Sequence, residues 1–267
     1  MTKDNLTKIA TLFLVAWSAS CIYVMVDDPA VAGRMIRPRL ERNLPFPADG
    51  VLAVEAENAT VEIRGWDQEE IRLEAEEDRP LPSRTRVFGP WPNEPDVEID
   101  RTGDRLLIRA GFSSEKETAL RLVLRVPRSL RVRDVDVKTG TVSIADFYGE
   151  ALVRLESGDL RVENYSGSLD ARVGGGDITA ELLDVRSEDN IRLLAADGDI
   201  TIALEEGVQA ALDAAAPAGQ VTSEIDLKLT LPAAAAKAEL GGGGARIELR
   251  AERGSIHIQK GKGGEDV

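Results

Sequence analysis

From Val51 onward, apolar and polar residues alternate with a period of two. In VLAVEAENATVEIRGW the apolar positions Leu52, Val54 and Ala56 are followed by Val61 and Ile63, the pattern of strands with one buried face. Ile71 to Ala75 and TALRLVLRVP, which ends at Pro127, read as further strands, and DVEIDRTGDRLLIRA predicts a hairpin around Thr102-Gly103. A second, longer period then appears. Gly140, Gly149, Gly158, Gly167 and Gly176 follow one another at nine-residue steps. Counting each glycine as the first residue of its nine, the third and fifth are apolar: Val142 and Ile144, Ala151 and Val153, Leu160 and Val162, Leu169 and Ala171, Ile178 and Ala180. The fourth and sixth positions are mostly polar, as at Ser143, Arg161, Glu163, Asp170, Arg172, Thr179 and Glu181.

Each nine is therefore a short strand and a corner, and eighteen residues make one coil with two long sides. Stacked coils would place equivalent residues about 4.8 Å apart in hydrogen-bonded register. Glycine is needed at corners where the chain takes a positive φ or passes close to the next coil. The period loosens around Val185 to Asn190, resumes at Ile191, Leu193 and Ala195, and passes through Gly198, Ile200, Ile202, Leu212, Ala214, Ala216, Gly219 and Val221. After a long insertion, ARIELRAERGSIHI restores it, and VLAVEAENATVEI fits upstream with Ala59 in the glycine's place. Internal repetition at a fixed short period is the mark of a solenoid. The predicted fold is all-β: a right-handed parallel β-helix, or β-solenoid, stacked from about Val135 to Ile258. More irregular antiparallel strands between Leu52 and Val126 are expected to cover its N-terminal end.

Upstream of this body, Ile9 to Val26 reads IATLFLVAWSASCIYVMV without a charge. As a hydrophobic helix it would span about 27 Å, close to the hydrocarbon core of a bilayer. Three processing routes fit: an uncleaved signal anchor, a lipoprotein signal ending at Cys21, and ordinary cleavage near Ser18 or Ser20. The charges conflict on orientation, because Lys3 and Lys8 precede the segment while Arg34, Arg37, Arg39 and Arg42 follow it. The charged start followed by an apolar run resembles an export signal, so the body is read as extracytoplasmic and membrane-anchored in the cell envelope. Residues 27–49 read as a tether, 50–260 as the solenoid and 261–267 as a flexible tail.

Composition narrows the functions. Aromatics make up 4% of the residues and the formal charge is -14. A core of Val, Leu, Ile and Ala suits thin layers of strands rather than a deep cofactor pocket, and the negative field repels nucleic acid. One cysteine, Cys21, and one histidine, His257, leave no disulfide framework, no cysteine zinc site and no partner for a histidine-dependent triad. No cofactor, catalytic residue or metal ligand is assigned.

The recurrent hexads TGTVSI, SGDLRV, GGDITA, DGDITI and RGSIHI, with the opening VEAENATVEIRGWD, the strand LRLVLRVP and the closing IELRAERGSIHIQK, resemble a bacterial domain family of unknown function that carries the label "putative adhesin". The resemblance covers roughly residues 50 to 260. It implies a β-solenoid of the cell envelope and supplies no catalytic residues.

Four features carry candidate chemistry. Asp159, Asp177 and Asp199 each follow a corner glycine and fall in one column, where they either bond the turn backbone or attract a divalent cation. His257 falls in an outward column with Ser143, Arg161, Thr179, Thr201 and Thr222. The four glycines 241–244 have no lysine, hydroxyl residue or helix after them and so do not make a phosphate cradle. Residues 78 to 95, DRPLPSRTRVFGPWPNEP, hold five prolines. Arg84, Arg86, Phe88 and Trp91 there are the predicted binding residues for an acidic glycan or an envelope protein. The expected function is a non-enzymatic envelope module for binding, adhesion or scaffolding. A solenoid polymerising on the membrane and a carbohydrate-active β-helix enzyme are the alternatives.

Overall fold

The computed structural model describes residues 24–26, 35–80, 85–87, 94–112, 119–205, 207–227 and 233–261. Two compact units result. One comprises residues 1–34 and 81–92, of which the described parts are Val24–Val26 and Thr85–Val87, paired antiparallel. The predicted N-terminal helix lies outside the described residues except at its end, where Val24–Val26 is a strand.

The other unit, residues 35–80 and 93–267, is all-β and mostly parallel. Alternation along each strand puts one set of side chains inside and the other in water, and the chain bends sharply at each corner to begin the opposite side. Two sheets result. The front sheet runs through Arg105–Ala110, the first half of Val51–Trp66, the first half of Arg131–Tyr148, Ala151–Ser157, Leu169–Gly175, Asn190–Asp197, Ala245–Arg253 and Ala210–Ala215, all parallel. The back sheet runs in the same order through Ala119–Pro127, the second halves of the two long strands, Leu160–Ser166, Ile178–Leu182, Ile200–Leu204, Ile256–Lys260 and Val221–Ser223. The repeat is thus a two-sided coil, as the periodicity predicts.

Inward columns fill the space between the sheets. Val142, Leu160, Ile178, Ile200, Ile256 and Val221 stand in register along the back sheet, and all are buried. Val153, Ala171, Leu193, Leu249 and Ala214 do the same in front. Phe147 and Tyr165, stacked with ring centroids 6.0 Å apart, fill the wider part of two coils. The Tyr165 hydroxyl lies 2.7 Å from the carbonyl oxygens of Gly149 and Ser168. Burial raises the pKa of this phenol, because a phenolate cannot be solvated there.

At the corners the coils touch backbone to backbone. Gly158 has φ 131°, and a methyl group in place of its α-hydrogen would lie 1.6 Å from the carbonyl oxygen of Gly140. Ala59 stands at the equivalent position without a positive φ, beside a coil whose strands end at Ala110 and resume at Ala119.

Three features depart from the sequence reading. Coil order is not chain order: the coil of residues 105–127 lies outside that of residues 51–66, and that of 245–260 lies between those of 190–204 and 210–223. Hydrophobic alternation fixes which way a side chain points but not which coil is its neighbour. Next, Val51–Trp66 is a regular coil; the antiparallel cover is formed by Arg39–Pro45, Glu70–Pro80 and Val97–Thr102. Finally, part of the predicted tether is folded. Met35–Ile36 and Arg39–Pro45 pair with Glu70–Pro80, and Leu40 and Phe46 are buried.

Candidate functional site

A concavity of about 640 Å³ opens on the outer surface of the front sheet near its N-terminal end. Its origin is local. The front half of Arg131–Tyr148 bulges at Asp134, which takes φ 57°, and register with both neighbours shifts between Val132 and Val135. A bulge bends and twists its strand, here beneath the Val97–Ala110 hairpin that forms the opposite wall. Ala53 and Leu107, partners across the two parallel strands, lie at the outward positions of the alternation, Ala53 buried and Leu107 half-buried at the floor. Phe112 stands at the rim, 46% exposed.

Five carboxylates (Glu55, Asp100, Asp134, Asp136, Glu156) and three cations (Arg105, Lys138, Arg154) give the lining its charge. Several are already paired. Arg154 bonds Asp134 at 3.2 Å, Lys138 bonds Glu57, and Arg109, just outside, bonds Glu55 at 3.0 Å. The hydrogen bond and charge of Glu57 raise the Lys138 pKa, and Glu55 does the same for Arg109. Both cations are held in their charged form by these carboxylates.

The other exposed large apolar side chain among the described residues is Tyr148. It lies against Arg128, whose guanidinium carbon is 5.5 Å from the ring centroid.

The predicted binding residues are Arg84, Arg86, Phe88 and Trp91. Arg84, Phe88 and Trp91 lie outside the described residues, and Arg86 is described only as the backbone partner of Met25. The footing of their segment is described. Glu77 is 1% exposed, and its carboxylate meets Arg79 at 2.7 Å and accepts the Asp96 N–H at 3.0 Å. This buried pair joins the strand leading into the segment to the chain that leaves it.

The aspartate column has an explicit role. Asp159 accepts the backbone N–H of Asp177 at 3.0 Å, Asp177 that of Asp199 at 2.8 Å, and Asp199 that of Ser255 at 2.7 Å. Each carboxylate bonds the next coil at the corner, beside the glycines. His257 stands in its predicted column and is hydrogen-bonded through Nδ1 to Thr222 Oγ1 at 2.8 Å. Among the described residues no three His, Cys, Asp or Glu side chains converge as a metal site would require.

A stack of two-sided coils closed at its corners by glycine, with a mixed-charge groove on one face, defines the protein as an all-β solenoid. The profile of the Toastrack DUF4097 family matches residues 126–259, half of the 267-residue chain, and the chain belongs to that family. Among solved structures, a "putative cell adhesion protein" from Clostridium sporogenes ATCC 15579 is 12% identical over 83% of this chain and 99% of its own, with a TM-score of 0.45. A "putative adhesin" from Bacteroides fragilis NCTC 9343 is 13% identical over 82% of this chain and 96% of its own, with a TM-score of 0.35. No curated protein matches the sequence.

Proposed function

We propose that the protein is a non-enzymatic binding module of the bacterial cell envelope, held at the membrane by its N-terminal apolar segment with the solenoid body outside the cytoplasm. The groove beneath the Val97–Ala110 hairpin is its contact surface. The observation that carries this reading is the breach of alternation at Ala53 and Leu107 under an exposed Phe112. Ala53 is buried and Leu107 half-buried, so Phe112 is the apolar group that the groove offers to a partner; apolar groups gathered on an outer face mark interaction sites, and a rim aromatic makes a strong anchor. The partner is an envelope glycan or protein that presents an apolar group flanked by cations, because carboxylates outnumber cations in the lining.

Polymerisation end to end fits less well. One end of the stack finishes on the antiparallel strands Val97–Thr102 and Arg39–Pro45, and the front sheet at the other end finishes on Ala235–Leu240, also antiparallel. These edges carry Glu98, Asp100, Arg39, Glu41, Lys237 and Glu239, and charged edges discourage further pairing.

The test is sedimentation of the purified chain with isolated envelope. Phe112→Ala and Leu107→Asp should each lower the bound fraction at least about ten-fold, the loss of an anchor near 1.4 kcal/mol or more. Retention of wild-type binding by both variants would place the contact elsewhere, with residues 82–93 the next segment to delete. Protease digestion of intact spheroplasts checks the compartment: degradation of the body is expected, and protection would place it in the cytoplasm.

A further inference from the structure

The penultimate coil of the stack is made by the last described residues of the chain. Ala245–Arg253 and Ile256–Lys260 are hydrogen-bonded on both sides, to Asn190–Asp197 and Ile200–Leu204 on one hand and to Ala210–Ala215 and Val221–Ser223 on the other. This coil is joined to the strand before it by a short covalent strap, Gly241–Gly244. The strap runs from Ala235–Leu240, on one side of Ala210–Ala215, to Ala245 on the other. All four glycines have positive φ, from 59° to 150°. A methyl group at Gly241 would lie 2.8 Å from the Val208 carbonyl oxygen, and one at Gly244 2.6 Å from that of Gln209. The four-glycine run is a bridge laid tightly over the start of another strand.

We propose that the space between coils 190–204 and 210–223 is a strand-acceptor site, filled within one chain by residues 245–260 and equally by the same residues of a second copy. Two observations carry this. First, the inserted coil repeats the register of its neighbours: Ile191, Ile247 and Leu212 stand in one column, and Leu193, Leu249 and Ala214 in the next. Any copy's coil therefore fits any copy's slot. Second, the strap has little slack. It must cross two strand spacings, about 9.6 Å. The five Cα steps from Leu240 to Ala245 reach at most roughly 17 Å, and three steps would reach roughly 10 Å, too little to arch over a backbone. Shortening such a connection favours exchange between copies.

Thr222 and His257 supply the test, because they are paired across the slot and half-buried on the outer face. In the full chain carrying Cys21→Ser, one preparation bears Thr222→Cys and another His257→Cys. The two are mixed at high concentration, warmed below the unfolding midpoint and bridged with a short bis-maleimide. A covalent dimer containing both variants is expected, with neither variant alone giving more than a tenth of that yield. The chain bearing both substitutions should bridge within itself, which verifies the register. If it does so while the mixture gives no dimer, or if Thr222→Cys alone dimerises equally well, the exchange is refuted. Deleting Gly242 and Gly243 should raise the dimer fraction at least about ten-fold by light scattering; a monomer of unchanged thermal midpoint would overturn the role of the strap.

Discussion

Of the corner glycines, Gly158 leaves the least room for a methyl group, and replacing it by alanine should be strongly destabilising. The new carbon would meet the Gly140 carbonyl oxygen at 1.6 Å and its carbon at 2.8 Å. Relief to an ordinary contact of about 3.4 Å requires the coils to part locally by roughly 1.8 Å. That stretches the neighbouring Val142 N–H to Asp159 bond, now 3.0 Å, and the adjacent ladder bonds beyond useful length. Three such bonds at about 1 kcal/mol each, with about 1–3 kcal/mol for a non-glycine residue held at φ 131°, give a loss of about 4–6 kcal/mol. A domain of ordinary stability, about 5–15 kcal/mol, would be close to unfolding. Two other glycines calibrate the number. Gly103→Ala has a positive φ but open space around it and should cost about 1 kcal/mol. Gly175→Ala has neither constraint and should stay within about 0.5 kcal/mol. Urea melts followed by circular dichroism measure all three. If Gly158→Ala loses no more than Gly103→Ala, the coils are not in backbone contact at their corners and the account of the glycine period is wrong.

Other outcomes follow from the same geometry. Val162→Asp buries an unpaired carboxylate and should cost several kcal/mol, whereas Arg161→Asp, one step along the strand and exposed, should cost under about 1 kcal/mol in the same melts. Arg79→Met strands the buried Glu77 carboxylate and should lose about 3–5 kcal/mol, with most of that recovered when Glu77→Met is added. Asp177→Ala removes the acceptor of the Asp199 N–H and should lower stability by about 1–2 kcal/mol, while Asp177→Asn keeps an acceptor and loses less. Because burial raises the Tyr165 pKa, stability from its neutral form is full below the unfolded value near pH 10 and declines as pH rises further. Thermal midpoints against pH should show that decline, and Tyr165→Phe should flatten it.

The period of nine made the coil, its corners and its inward columns readable from sequence, because glycine and alternation are local requirements of each turn. Neighbour relations were not readable in that way. Ala59 lies beside Gly140 across 81 residues, and nothing in either residue names its partner. The groove had left a trace: Leu52-Ala53-Val54 and Leu106-Leu107-Ile108 each place three apolar residues in a row where alternation calls for a polar one. Read singly they look like strong strands; only their pairing in space makes a patch. Glu77 stands in the acidic run Glu74 to Asp78, where nothing local marks it for burial; that depends on Arg79 and on the distant Asp96. The bulge at Asp134 has no sequence mark beyond a residue type that tolerates positive φ.

The interleaving of coils at both ends bears on how such a chain changes length over evolution. An ordinary solenoid grows or shrinks by gaining or losing repeats at its termini, where each unit touches only one neighbour. Here the terminal coils are locked by segments that come from elsewhere in the chain, so a repeat added or lost there would disrupt a lock as well as an end. Between Gly140 and Leu204 the coils follow chain order without a break. A duplication of eighteen residues from one corner glycine to its equivalent would lengthen the body there by about 4.8 Å, leaving both closures and the groove as they are. Variation in the number of coils among related chains should therefore be concentrated in this stretch.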